Sequence, residues 1–318
     1  MAKVMTADVI LTDHPLALGE SGPNITFSAA DAQTYRTDLS QSQSVIKVVA
    51  GESLTEVQCL EALLIPSANN VAIRLAEWDS TSVGAFVAKM NATAARLGLK
   101  STFFTDPSGL EASTASVPAN LIRLGEVAMA NPVFASIVDM PQVTLPYNGT
   151  VYNFDYDLGR DGIVGIKTGS DSVAGGCFLF ESIDHVAGRR VAIVGVVLGQ
   201  QTSSPITAAL DEAKKLVTAA LGTVHELAAI PAGLVVGHIV TQWNSSVAVA
   251  TTDELSVFGW PGQRFDVRLE QDAHLPSHIT AGVQVGKLVL SVPGGSESTP
   301  VVASGTIMGP SDSWRLER

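Results

Sequence analysis

The sequence predicts an α+β domain, with an antiparallel sheet and a helical subdomain, followed by a small all-β domain. Three observations carry this. Between about residues 53 and 130, apolar side chains recur at helical spacing, broken by proline, glycine and polar turns. Three apolar runs, at roughly 163–169, 176–183 and 190–198, follow one another with Gly175-Gly176 and Gly188 in their connections, as in an antiparallel meander. Beyond about His225 the pattern becomes short valine-rich runs separated by glycine and proline, as in a small β-domain. The expected domains are therefore 1–223 and 224–318.

Taken in order, residues 1–12 read as a helix through Val4, Met5, Ala7, Val9, Ile10 and Leu11. Asp13 to Val45 is polar and rich in glycine and serine, so it reads as loop with short strands. Ile46 to Val49 is a short apolar strand. Ser53-Leu54-Thr55-Glu56 fits a capping box, opening a helix with Val57, Leu60, Leu63 and Leu64 on one face. Pro66 ends it, so Ser67-Ala68-Asn69 lies in a tight connection before a helix from about Asn70 toward Trp78. Val83, Phe86, Val87, Met90 and Leu97 mark the next helix, closed by Gly98. Asp106-Pro107-Ser108-Gly109 is a turn. Ser116 and Pro118 suit the cap and first turn of a helix to about Ala130. Ser204 and Pro205 open another, which Gly222 closes.

The 318 residues can bury a substantial core. With 46% hydrophobic and 16% charged residues, the chain is globular. A net charge of −12 without a Lys/Arg cluster argues against nucleic acid as a partner. The longest apolar run, Val191 to Leu198, is too short to span a membrane. Met1-Ala2-Lys3-Val4 leads straight into a helical pattern, so no signal peptide is read here. Cys59 and Cys177 both have apolar neighbours and read as buried free thiols, with a disulfide left open. The six histidines are scattered, no phosphate-binding glycine loop is present, and no cofactor or metal is expected.

Lys167-Thr168-Gly169 is the most informative stretch. A lysine at the end of an apolar strand is costly to bury unless something anionic meets it. The threonine adds a hydroxyl, and the glycine lets a ligand approach the backbone. Together they describe a strand edge built to hold a carboxylate. Ser67 and Asn69 sit at a helix break, where such residues are favoured for turn chemistry alone.

In order, Lys3, Ser67-Ala68-Asn69 and Lys167-Thr168-Gly169 resemble the S-x-x-K, S-x-N and K-T-G motifs of the penicillin-recognising serine enzymes. Within that superfamily the chain resembles a D-alanyl-D-alanine carboxypeptidase of the low-molecular-mass penicillin-binding type. Leu64-Ile65-Pro66-Ser67-Ala68-Asn69-Asn70, Phe104-Thr105-Asp106-Pro107-Ser108-Gly109-Leu110 and Ala174-Gly175-Gly176-Cys177 add to the likeness. The resemblance implies an α/β/α transpeptidase-like domain plus an appended β-domain. It also implies acyl transfer through a serine ester on peptidoglycan pentapeptides ending in D-Ala-D-Ala, with β-lactams as mimics, outside the cytoplasmic membrane.

The resemblance also assigns roles. Lys3 is the general base and Ser67 relays the proton to the leaving amine. Asn69 bonds the substrate amide. Lys167 and Thr168 hold the terminal carboxylate beside Gly169, and the Ser170 N–H is half of the oxyanion hole. The family nucleophile precedes the S-x-x-K lysine by three residues, a position directly ahead of Met1. The expectation is therefore a chain truncated just after that serine, inactive as given. It would also lack the preceding strands, leaving Val191 to Val197 as an open apolar edge. Two alternatives stand beside this reading: a non-catalytic wall-peptide-binding protein of the same fold, and a class A β-lactamase. Against the latter, Ala68 stands where that class usually has Asp, and no convincing E-x-x-L-N segment is present.

Overall fold

A buried helix organises the first part of the chain. The computed structural model describes residues 1–276, 278–292 and 295–316, which form two compact units, Met1–Ala220 and Leu221–Arg318. In the first unit, α1 (Ala2–Asp13) is buried from Ala2 through Leu11. Val4, Met5, Ala7, Val9, Ile10 and Leu11 cover more than one face of this helix, so it takes the centre of the core and carries Lys3, Thr6 and Asp8 inside with it. Around it pack α3 (Glu56–Leu64), α4 (Asn69–Asp79), α5 (Val83–Arg96), α6 (Pro118–Met129) and α7 (Pro132–Val138). Outside these lie β1 (Asn24–Thr26), α2 (Ala29–Ser40) and β2 (Ser53–Thr55), with β1 and β2 paired antiparallel. A hairpin of β3 (Gln142–Leu145) and β4 (Gly149–Tyr152) follows α7.

The expected meander is present as β5 (Ile163–Asp171), β6 (Gly175–Val186) and β7 (Arg189–Gln200), antiparallel in that order. Helix α6 lies on this sheet at Gly125. A Cβ there would come within 3.1 Å of Ile166, 3.2 Å of Leu179 and 3.3 Å of Val194, one residue from each strand. Both β5 and β7 are edge strands. Among the described residues β7 pairs with β6 alone, and Val191, Ile193, Val194 and Val196 on it are half-buried. Helix α8 (Pro205–Thr223) follows and buries Ala209, Leu210, Ala213 and Val217 along one stripe.

The second unit is mostly sheet. Its strands are β8 (His225–Ile230), β9 (Val235–Val240), β10 (Ser246–Thr251), β11 (Leu255–Gly259), β12 (Asp266–Gln271), β13 (Gln284–Val292) and β14 (Gly295–Ala303). They form a five-stranded sheet, β12-β13-β14-β10-β9, and a two-stranded one, β11-β8. Val249, Leu255, Val257, Leu288, Leu290 and Val301 make a core of its own. The short α9 (Asp312–Leu316) follows.

Several local expectations are corrected. The cap of α3 is Thr55, reciprocated by Gln58, and not Ser53. Ser53 is instead in β2, its hydroxyl 2.8 Å from that of Thr26, so Glu56 falls in the first helical turn. The N-cap of α6 is Val117; the Ser116 hydroxyl pairs with Thr102 instead. Ile46 to Val49 is not a strand: the Ile46 amide donates to the Asn70 side chain, which takes the place of a ladder partner. The stretch read as loop contains α2, held by a Ser28–Asp31 capping box. Cys59 and Cys177 are free thiols, and Cys177 is only half-buried.

Two glycines of the sheet are expected to behave oppositely. A Cβ on Gly176 would sit 1.9 Å from the Pro205 carbonyl oxygen, whereas one on Gly169 meets nothing within 4 Å. Gly176→Ala is therefore expected to cost about 2–3 kcal/mol, the price of forcing backbone apart. Gly169→Ala should stay within about 1 kcal/mol of the parent. Urea denaturation of the two variants checks this, and equal midpoints would refute it.

Candidate active site

Three distant segments converge at the first turn of α1. Lys3 is 6% exposed, on a helical turn whose other residues Ala2, Val4 and Met5 are buried too. Its Nζ donates to the Asn69 side-chain oxygen at 2.6 Å and to the Ser108 backbone carbonyl at 2.9 Å. Asn69 opens α4, where the Pro66 break has just ended α3. Its amide nitrogen donates to the Gln43 side-chain oxygen at 2.9 Å, so both ends of the amide are engaged. Ser67, in the break, is half-exposed and adopts φ +61°, a left-handed conformation that costs a residue with a Cβ and persists only where neighbours hold it.

Lys167, Thr168, Gly169 and Ser170 lie in succession on edge strand β5, so one side of that backbone is free to meet a ligand. Lys167 is 2% exposed and its Nζ donates to the Thr168 carbonyl at 3.0 Å. Thr168 is buried, Gly169 half-buried and Ser170 exposed, a gradient that leads from the core to the surface.

The electrostatics follow from burying two lysines together. Desolvation disfavours an ammonium, and a second cation nearby disfavours it further. Burial and then Lys167 bring the Lys3 amine down to about 7, against an opposing pull from Asp106. Burial lowers Lys167 to about 8, and Asp155 opposes that. Asp155, itself buried, is pushed up to about 7 by its desolvation, although the Asp157 amide and Lys167 pull it the other way. The Met1 nitrogen lies in the same field: burial, then Lys167, then Lys3 push its amine down to about 5. An amine near 7 is half deprotonated at neutral pH and can accept a proton. A cation near 8 remains mostly charged and can hold an anion.

The structure thus brings Lys3 and Asn69 into direct contact and sets Lys167 close enough for its charge to act on Lys3. The motif pattern did not reveal Gln43, Ser108, Asp106 or Asp155. Gln43 lies in a loop read as irregular, Asp106 in a stretch read as a turn, Asp155 outside every motif, and Ser108 takes part through a backbone carbonyl.

A helical layer against a three-stranded antiparallel sheet, with the Asn of an S-x-N motif bonded to a lysine of a buried helix and the charge of a K-T-G lysine acting on it, defines a domain of the penicillin-binding type. The chain belongs to the D-alanyl-D-alanine carboxypeptidase family, whose family model matches residues 1–202. It is 38% identical over 174 residues to D-alanyl-D-alanine carboxypeptidase DacB2 of Mycobacterium tuberculosis, covering 50% of this chain and 57% of that protein. It is 29% identical over 220 residues to the D-alanyl-D-alanine carboxypeptidase of Streptomyces sp. strain K15, covering 64% and 72%. The chain thus spans a little over half the length of the first relative. In structure it is similar to penicillin binding protein 5 from Haemophilus influenzae, with a TM-score of 0.63, 20% identity and 96% and 89% coverage. It is also similar to the Streptomyces K15 DD-transpeptidase, with a TM-score of 0.58, 26% identity and 68% and 84% coverage. Among the described residues no single helix is long and apolar enough to cross a membrane.

Proposed function

We propose that this chain carries the acyl-transfer machinery of a serine-type D-Ala-D-Ala carboxypeptidase, acting outside the cytoplasm on peptidoglycan stem peptides. The observation that carries this reading is the 2.6 Å bond from Lys3 to Asn69, made beside Lys167. It joins the first two motifs in one buried network whose base is tuned by the third. Lys167 and Thr168 hold the terminal carboxylate of the substrate. The free edge of β5 lies along the peptide, and Asn69 bonds its amide. The Ser170 N–H meets the oxyanion. Lys3, in its neutral form, takes the proton of the attacking hydroxyl, and Ser67 passes a proton to the departing D-Ala amine. β-Lactams occupy the same site because they carry a carboxylate next to a strained amide.

Carboxylate binding can be tested without any covalent step. Titration of N-acetyl-D-Ala-D-Ala into the protein, followed by NMR, is expected to shift amides of β5. Lys167→Ala should weaken this binding by about 10–100-fold, the worth of a hydrogen bond to a charged group. The same peptide ending in a carboxamide should bind as weakly to the parent as the acid does to the variant. Equal binding of acid and amide would rule out the carboxylate role.

A further inference from the structure

We propose that Asp106 is a positioning residue for Lys3: its carboxylate winds the 106–111 turn so that the Ser108 carbonyl fixes where the Lys3 lone pair points. The inference rests on the proposed base role of Lys3, but its geometry is independent of that role.

Asp106 is 8% exposed and lies at the centre of its own turn. One carboxylate oxygen accepts from the amides of Ser108 at 2.9 Å, Gly109 at 2.9 Å and Leu110 at 3.2 Å, and also from the Ser108 hydroxyl. The other accepts from the Glu111 amide at 3.3 Å and the Thr114 hydroxyl at 3.5 Å. With the N–H groups of four successive residues turned inward on one anion, the carbonyls of the turn are left to face outward. Two of them meet α1: the Pro107 carbonyl accepts from the Thr6 hydroxyl at 2.7 Å, and the Ser108 carbonyl from Lys3 Nζ at 2.9 Å. Gly109 allows the close fit, because its φ is +78° and a Cβ would sit 3.0 Å from that of Ala2.

The consequence lies in proton counting. A neutral primary amine has two N–H bonds and one lone pair, whereas the ammonium has three donors. Asn69 and Ser108 supply two acceptors to Lys3. The neutral amine satisfies both with its two hydrogens, so its lone pair is left in the remaining tetrahedral direction. Without the Ser108 carbonyl the amine would rotate about its carbon and the lone pair would have no fixed aim. Asn69 alone cannot impose this, since one acceptor leaves the rotation free. Asp106 thus acts twice: it presents the carbonyl, and its negative charge opposes the effects of burial and Lys167 on Lys3. The charged groups acting on Lys3 are Lys167 from β5 and Asp106 from the turn.

The test reads Lys3 directly, by following its side-chain carbon and nitrogen resonances against pH in selectively labelled protein. Asp106→Asn keeps the shape of the side chain and removes the charge, so the Lys3 midpoint is expected to fall by at least about half a unit, toward greater acidity. Gly109→Ala leaves the carboxylate in place but pushes the turn off Ala2. It should lower the midpoint as well, by withdrawing the carbonyl that stabilises the ammonium. The second variant keeps the test decisive should the first not fold. A folded variant of either kind whose Lys3 titrates as in the parent would overturn the proposal, because a merely structural turn would leave that midpoint where it was. In a version with a serine directly ahead of Met1, the acid limb of the acylation pH profile should move down with the midpoint. A moved midpoint without any acylation would keep the positioning role and reject the peptidase reading.

Discussion

A polypeptide starting at Met1 is expected to gain no mass on incubation with benzylpenicillin, whereas the same polypeptide with a serine directly ahead of Met1 gains the mass of the ring-opened antibiotic. The expectation comes from the field around the Met1 nitrogen, which is dominated by burial, Lys167 and Lys3. A residue joined there is attached within the field of both lysines. That residue would stand three positions before Lys3, just ahead of the Met1 N-cap of α1, a spacing that brings two side chains together where the helix runs through both. The base is already prepared, since Lys3 near 7 is substantially neutral at physiological pH. A nucleophile and its base act as a unit, and losing either costs on the order of 10⁴-fold or more in rate. In the serine-bearing version, Lys3→Gln should therefore remove most of what the serine confers. Intact-protein mass spectrometry over a time course reads all three proteins. An adduct on the polypeptide lacking the serine would overturn the assignment of the nucleophile's position. Failure of the serine-bearing form to acylate, with carboxylate binding retained, would favour a non-catalytic wall-peptide binder of the same fold.

Glu56→Gln is expected to stabilise the protein strongly at pH 8 and hardly at all at pH 4. Glu56 is fully buried in the first turn of α3, and neither carboxylate oxygen has a hydrogen-bond partner among the described residues. The chain from Leu16 to Pro23 closes over it: a Cβ on Gly22 would come within 2.7 Å of the carboxylate, and the Glu56 amide donates to the Pro23 carbonyl. Desolvation pushes its pKa from 4.5 to about 7. The sign follows from linkage. A raised acid pKa means the folded state holds the proton more tightly than the unfolded chain. That advantage is complete below about 4.5 and is lost as pH rises through about 7. At about 1.4 kcal/mol per pH unit, ionising the buried group costs up to about 3 kcal/mol. Glutamine has no proton to lose, so its variant lacks the slope. Thermal melts of both proteins between pH 4 and 8 should diverge progressively. Parallel curves would refute the burial argument.

What the sequence revealed of the fold was decided by which elements bury a stripe. Helices α3, α5 and α6 turn Leu60, Leu63, Leu64, Phe86, Met90, Leu121 and Leu124 toward the core at helical spacing, and they were legible. Helix α2 was not, because Ala32 is its one buried residue and its stability comes from capping at Ser28 and Asp31. The hairpin β3–β4 was missed for a similar reason: of Gln142–Leu145 only Leu145 is buried, so no alternating face appears. At the site, Lys167 stood out because a lysine at the end of an apolar strand is unusual, whereas Lys3 and Asn69 came only from the motif resemblance, since a lysine near a chain start and an asparagine at a helix break are ordinary on their own. Ser108 was not readable, since the group it supplies is a carbonyl that every residue owns. Asp106 was visible as a turn residue, but which outward carbonyl its turn would present, and to what, depends on a helix more than a hundred positions earlier.

The two buried lysines stand inside a molecule whose net charge is −12. An anionic ligand therefore meets two opposing fields on its way in: repulsion from the acidic exterior at long range and attraction from the sunken cations only near the end. Dissolved salt acts on these unequally. Screening over about 10 Å at 0.1 M weakens the outer field, while charges enclosed by protein are shielded far less. Modest ionic strength thus lowers the barrier to entry more than it loosens the grip. Capture of an anion here should quicken as salt is added, the reverse of the behaviour of a site set in a basic surface.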